Sequence, residues 1–226
     1  MAISRFIRAP KLNAAKLALS GALAVSALGA TAAVTAAADS APARPAAAAA
    51  AQQGVSNRDA RVNVTAQQVL DLARAQVGTS ENTAGGGTKF QRWYADSARA
   101  GETVVRDGGN RNAYLNAPWC SMFVSWVGEE SGARSQVGWD AYTVAHAKWF
   151  AANDRWGSEA RPGAVVFFSW SGSKSLSAID HVGFVVKDNG DGTISTIEGN
   201  TGNGKVEERV RPTSQVAGYG YPNYAA

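Results

Sequence analysis

The chain has 226 residues and a formal net charge of +4, a length that fits one domain with additional segments or two small domains. The four excess positive charges all lie in the first 38 residues, and residues 39–226 hold 18 basic against 18 acidic side chains. This balance argues against a basic body that binds nucleic acid through its overall charge.

Residues 1–38 have the pattern of a secretory signal peptide. Four dispersed basic residues precede an apolar stretch at residues 17–34, and Ala36, Ala37 and Ala38 offer the small side chains that a signal peptidase needs. The alternative is a retained membrane anchor, because the stretch approaches the ~20 residues that span a bilayer. Its Ala and Gly content makes it weakly hydrophobic, so we expect cleavage after Ala38 and a secreted protein that is free of the membrane.

Residues 39–55 form an Ala/Pro-rich tract whose side chains are too small to offset the entropy cost of ordering the backbone. We interpret this tract as a linker. Residues 56–226 then form a single domain, large enough for its own hydrophobic core.

The predicted elements of this domain are helices first and strands afterwards. Helical spacing or composition predicts helices from Thr65 to Gly78, over 89–99, from about Pro118 to the glycines at 128 and 132, and over 141–152. Short runs rich in Val, Ile, Phe and Thr predict strands at 164–170, 181–187, 193–197 and 206–210. This order is typical of an α+β fold.

Cys120 is the chain's one cysteine, so it cannot form an internal disulfide. It is an inert buried side chain, half of an intermolecular bridge or a reactive thiol. The preceding Pro118 and Trp119 place it at a predicted helix start, where free backbone N–H groups and the helix dipole favour a thiolate. The same N–H groups could hold the oxyanion of an acyl intermediate.

A thiolate nucleophile needs a base that can also protonate the leaving group, and the chain contains two histidines. His181 opens a predicted strand after a polar segment, at a strand end beside a loop, where active-site residues are frequent. His146 lies in the middle of a predicted helix, which favours a packing or surface role. We therefore prefer His181 as the base.

The base needs a polar partner that orients it, and Glu198 and Asn200 end the strand that follows His181. An antiparallel hairpin through residues 188–192 would bring Glu198 to the imidazole. Alternation along an unbroken strand would place Asn200 on the same face as Glu198. The alternative is a solvated glutamate followed by a turn asparagine.

Three segments together resemble a known family, the CHAP domains, which are cysteine, histidine-dependent amidohydrolases/peptidases related to the NlpC/P60 enzymes. The segments are APWCSMFVSW at 117–126, DHVGFV at 180–185 and IEGN at 197–200. The segments ARAQVG at 73–78 and KFQRWY at 89–94 resemble the opening helices of that family. The resemblance covers most of residues 66–221.

The resemblance implies a papain-like α+β fold, with the nucleophile at a helix N-terminus packed on an antiparallel sheet. It also implies cleavage of peptidoglycan, either at the muramoyl to L-alanine amide or within the stem peptide or cross-bridge. Carried over to this sequence, Cys120 is the nucleophile, His181 the base, Glu198 the orienting carboxylate and Asn200 an auxiliary polar group.

Further residues are expected to donate to the oxyanion or to bind substrate. Asn116 and Tyr94 are candidates for a second oxyanion donor. Trp93, Trp119 and Trp170 are candidates for stacking on substrate in a groove. We expect no metal, no cofactor and a monomer that acts on peptidoglycan. The alternatives are an inactive wall-binding module of the same fold and a secreted amidase or toxin that acts on a non-wall amide.

Overall fold

The computed structural model describes residues 62–226. The predicted signal peptide at 1–38 and the predicted linker at 39–55 lie outside the described residues. Within the described part, helices precede strands, which confirms the α+β class. The helices are α1 (Ala66–Arg74), α2 (Lys89–Asp96), α3 (Ala98–Asp107), α4 (Cys120–Glu130), α5 (Arg134–Val137) and α6 (Thr143–Ala152). The strands are β1 (Trp156–Gly157), β2 (Val165–Phe168), β3 (His181–Asp188), β4 (Thr193–Thr201), β5 (Lys205–Pro212) and β6 (Val216–Gly220).

The first helices begin at polar caps that the sequence signals. Thr65 accepts a hydrogen bond from the backbone N–H of Gln68, whose side chain bonds back to the Thr65 backbone, and this capping box starts α1. Thr88 and Gln91 form the same arrangement before α2. Each box satisfies N–H groups that would otherwise lack a partner at the helix start.

The helix predicted over 89–99 is two helices. Ser97 is extended, with φ −69° and ψ 156°, so that it ends α2 and caps α3 through its side chain. Serine favours this cap position because its hydroxyl bonds the backbone locally. The prediction missed α3, as it missed the short helix α5.

The six strands form one antiparallel sheet in the order β1-β6-β2-β3-β4-β5. The sequence predicted the four strands β2 to β5. It missed β6, where Gly218 and Gly220 dilute the strand pattern, and the two-residue β1. The hairpin predicted through 188–192 joins β3 to β4, and Phe184 pairs with Ile197.

Helix α4 packs against β3 and β4 through an apolar face that includes Met122, Phe123 and Val127. The largest core cluster joins this helix to the sheet, with Phe123 and Phe184 in edge-to-face contact at 6.4 Å between ring centroids. The arrangement confirms a papain-like fold with a helix N-terminus against an antiparallel sheet. Among the described residues, no helix is long and apolar enough to cross a membrane.

Candidate active site

Cys120 is the first residue of α4 and is 5% exposed. Trp119 occupies the N-cap position without a side-chain hydrogen bond to the helix, and the first intrahelical bond runs from the N–H of Phe123 to the carbonyl of Trp119. The backbone N–H groups at the start of the helix, where Cys120 lies, therefore have no capping side chain from Trp119. Such groups stabilise negative charge on sulfur or on a nearby oxyanion.

His181 is the first residue of β3 and pairs with Phe168 of β2. Its Nε2 lies 2.9 Å from Oε2 of Glu198, and the Cys120 side chain interacts with the same imidazole and raises its pKa. Because Nε2 is occupied by the carboxylate, Nδ1 is the ring nitrogen left for the sulfur. The His181 imidazole thus lies between Cys120 of α4 and Glu198 of β4.

Glu198 is fully buried in β4 and its carboxylate is completely hydrogen-bonded. Oε1 accepts from the Thr196 hydroxyl at 2.6 Å and from Nε of Arg211 at 2.9 Å. Oε2 accepts from His181 and from Nη2 of Arg211 at 2.6 Å. Four donors offset the cost of burying this charge.

The surroundings of Glu198 and His181 favour the charged form of each side chain. Burial raises the pKa of Glu198, but the hydrogen bonds from Arg211 and His181 dominate and lower it to about 2. Burial likewise lowers the pKa of His181, while its bonds to Cys120 and Glu198 and their charges outweigh burial and raise it to about 9. The imidazole is therefore protonated at neutral pH, which suits a thiolate–imidazolium pair.

Cys120 lines a cavity of about 320 Å³ next to the helix start. Its walls come from the segment before α4, the loop between α5 and α6, and the segment that leads into His181. They include the largely apolar set Ala117, Pro118, Met122, Ala141 and Ile179. Cys120 is thus almost covered, but it forms part of the wall of this cavity.

The three tryptophans predicted to line a groove have different surroundings. Trp170 is 45% exposed, and its ring stacks on His181 with 5.4 Å between centroids, so it stays a groove candidate beside the site, outside the cavity that Cys120 lines. Trp119 is fully buried, stacks on Phe90 and donates its indole N–H to Glu81 at 2.8 Å. The expectation for Trp119 is therefore wrong, because a ring without exposed surface cannot stack on substrate. Trp93 is half-buried, packs against the core and does not line the cavity at Cys120.

Asn200 was predicted to share a face with Glu198 if the strand continued unbroken, and the strand is irregular at this point. Its φ of 54° is in the left-handed region, and the pairing of β4 with β5 shifts register between Glu198 and Thr201. The alternation that would place Asn200 on the face of Glu198 is broken at this point. The donors to the Glu198 carboxylate are other side chains, and an auxiliary role for Asn200 stays a prediction.

Neither candidate for the second oxyanion donor lines the cavity at Cys120. Tyr94 is fully buried, its hydroxyl lies 3.4 Å from that of Thr103, and burial raises its pKa to about 12. Asn116 is exposed, and it lies against Gly86. A role as second oxyanion donor therefore stays a prediction for Asn116 and Tyr94.

His146 is fully buried in a separate hydrogen-bond network. Its Nε2 lies 2.6 Å from the carbonyl of Val137 and its Nδ1 lies 2.8 Å from Oγ of Ser121. Burial lowers its pKa, so the ring is held neutral. Nδ1 thus joins α6 to α4 and Nε2 joins α6 to α5, as the preference for a packing role implies.

Arg211 is the site residue that sequence reasoning missed. It lies on β5, thirteen residues after Glu198, and no motif marks it. The available signal was alternation along β5, which places 207, 209 and 211 on one face of a strand next to β4. That signal becomes specific only when the register is known.

A cysteine at a helix N-terminus, a histidine and a carboxylate on a papain-like scaffold define the class of cysteine-dependent hydrolases. Residues 109–200 match the family model of the CHAP domain. No curated protein and no solved structure matches the chain. The matched segment contains Cys120, His181 and Glu198.

The family match identifies residues 109–200 as a CHAP domain, with the NlpC/P60-like group as its broader context. This match supports amidohydrolase or peptidase activity in general. The residues of the match end before β5, so the match does not include Arg211.

Proposed function

We propose that the protein is a secreted peptidoglycan hydrolase that uses Cys120 to cleave an amide bond of the cell wall. The bond is the N-acetylmuramoyl-L-alanine amide or a peptide bond of the stem peptide or cross-bridge. The observation that carries the proposal is the chain of contacts from Cys120 through His181 to the buried Glu198, beside a cavity that Cys120 lines. Secretion is proposed from the pattern of residues 1–38.

The reaction follows from this arrangement. The Cys120 thiolate attacks the amide carbonyl, and the Cys120 backbone N–H donates to the oxyanion. The imidazolium of His181 gives its proton to the departing amine, and the C–N bond breaks to leave a thioester on Cys120. Neutral His181 then takes a proton from water, whose oxygen attacks the thioester and releases the carboxylic acid. Glu198 keeps the ring oriented and stabilises its charged form.

The exposed Trp170 supports a saccharide or peptide ligand at this position. Its ring is partly free, and it lies directly on His181. Flat apolar ring faces favour stacking with the faces of sugars. The proposal therefore places part of the wall polymer across Trp170 while the scissile amide enters the cavity at Cys120.

The first test is digestion of purified sacculi by wild-type protein and by Cys120→Ala, with mass analysis of the released ends. Wild type should release muramic-acid lactyl carboxylates if it is an amidase, or new peptide termini if it is an endopeptidase. Cys120→Ala should lose turnover by about a thousandfold or more and keep its fold. Intact sacculi after wild-type treatment would favour an inactive wall-binding module or a non-wall substrate, and full activity of Cys120→Ala would contradict the proposed mechanism.

The two histidines supply a matched control. His181→Gln should lose turnover with a native circular dichroism spectrum. His146→Gln removes a buried structural bond, so it should lower the thermal midpoint and retain turnover per folded molecule. Lost turnover in His146→Gln together with retained turnover in His181→Gln would contradict the choice of His181 as the base.

A further inference from the structure

Arg211 contacts the candidate site from β5. Its Nε and Nη2 atoms donate to the two oxygens of Glu198 at 2.9 and 2.6 Å, and Nη2 also donates to the hydroxyl of Thr201 at 3.0 Å. The side chain is 22% exposed. A planar guanidinium bonded to both carboxylate oxygens fixes the plane of the carboxylate as well as its position, which a lysine cannot do.

The same guanidinium lies over aromatic rings. Its carbon is 5.1 Å from the ring centroid of Trp170 and 5.9 Å from that of Phe168. Trp170 in turn stacks on His181. Arg211 therefore touches both groups that confine the imidazole, the carboxylate bonded to Nε2 and the ring that covers its face.

We propose that Arg211 is a positioning residue that fixes the Glu198 carboxylate and the Trp170 ring against the His181 imidazole. It acts through these two residues and not on substrate. The inference rests on the proposed roles of Cys120 and His181. It adds a residue from β5, outside the segment 109–200 that carries the family match.

The effect of losing Arg211 on the site depends on the other charged and polar groups around Glu198. His181 faces the carboxylate from β3, Thr196 donates to it from β4, and Arg211 donates to it from β5. Glu207, also on β5, is a nearby acid whose charge acts on Arg211. Cys120 acts on His181 from α4. Without Arg211 the buried carboxylate loses two of its four donors and is free to turn away from Nε2 of His181, so the imidazolium loses part of its stabilisation.

The experiment measures the rate of Cys120 alkylation by iodoacetamide from about pH 5 to pH 9 in wild type, Arg211→Gln, Arg211→Lys and Arg209→Gln. Arg209 is the matched control, because it lies on the same strand face and pairs with Glu207 at 2.5 Å instead of Glu198. Cys120 is the chain's one cysteine, so every labelled molecule reports on this site. Circular dichroism melting of each variant supplies the folded fraction.

Arg211→Gln should slow alkylation about tenfold near pH 6, where His181 is charged in wild type. Near pH 9 its rate should approach that of wild type, because His181 loses its proton there in wild type as well. Arg211→Lys should lie between the two, because it keeps the charge and loses the paired geometry. Arg209→Gln should match wild type.

A purely structural role for Arg211 would lower the melting midpoint and leave the shape of the pH profile unchanged, and that result would overturn the inference. So would coinciding profiles for Arg211→Gln and Arg209→Gln. If Arg211→Gln does not fold, Arg211→Lys decides: slower alkylation restricted to acidic pH supports the inference, and a wild-type profile overturns it. Failure of the proposed function looks different, because wild-type Cys120 would then react no faster at any pH than the cysteine of a short peptide.

Discussion

At the scale of single residues, the contacts among Cys120, His181 and Glu198 determine which of these side chains carries a charge. Glu198 would be neutralised by burial alone, but its four donors keep it ionised. His181 would lose its proton by burial alone, but Glu198 and Cys120 keep it charged. The charge state of each residue therefore depends on its partners, and the buried site needs all of them.

This dependence predicts the alkaline limit of sacculus hydrolysis. A histidine whose pKa is raised to about 9 keeps its proton below that pH and loses it above. Since the leaving amine requires the proton of His181, the pH profile of kcat/KM should fall on the alkaline side with a midpoint near pH 9. An alkaline midpoint near 6.5, the ordinary value for histidine, would contradict the charge assignment.

At the scale of elements, the site depends on how closely α4 approaches β4. Gly199 follows Glu198, and a Cβ atom there would lie 2.5 Å from Cβ of Phe123 and 2.8 Å from Cζ3 of Trp119. Real Cβ atoms do not approach other carbons so closely. The glycine therefore lets the strand with the carboxylate pass directly beside the helix with the nucleophile.

Gly199→Ala should consequently push β4 away from α4. We expect a loss of about 1–3 kcal/mol in the free energy of unfolding, the usual cost of overpacking, together with slower sacculus hydrolysis. The matched control is Gly190→Ala in the β3–β4 turn, where φ is 78° and a Cβ would meet no atom within 4 Å. That variant should also lose stability, through backbone strain, but should keep wild-type turnover per folded molecule. Equal turnover in both variants would show that the close approach is unimportant for the site.

The elements also show where sequence reasoning reaches its limit. Caps such as Thr65 and the apolar strand runs are local signals, and they predicted most helices and the central strands. The break at Ser97 depends on one extended residue between two helical segments, and β6 depends on pairing with β2 and not on its own composition. Pairing between distant segments is a tertiary property that a local pattern does not contain.

At the scale of the whole molecule, the site forms where two separately encoded halves meet. Cys120 comes from the helical half, whereas His181, Glu198 and Arg211 come from the sheet half. The sequence predicted Cys120, His181 and Glu198 from helix and strand ends, which are local features. It failed for Trp119, whose burial comes from packing with Phe90, and for Arg211, whose role requires the β4–β5 register.

Nitrogen-15 NMR of protein labelled at histidine reports the charge of each imidazole separately, since the chain has two histidines. One imidazole, assigned by its loss in His181→Gln, should keep its charge until about pH 9, and its midpoint should fall in Cys120→Ala. The other imidazole, His146, should titrate below the ordinary value of 6.5 because it is buried. Two midpoints near 6.5, with no response of His181 to Cys120→Ala, would contradict a thiolate–imidazolium pair at this site.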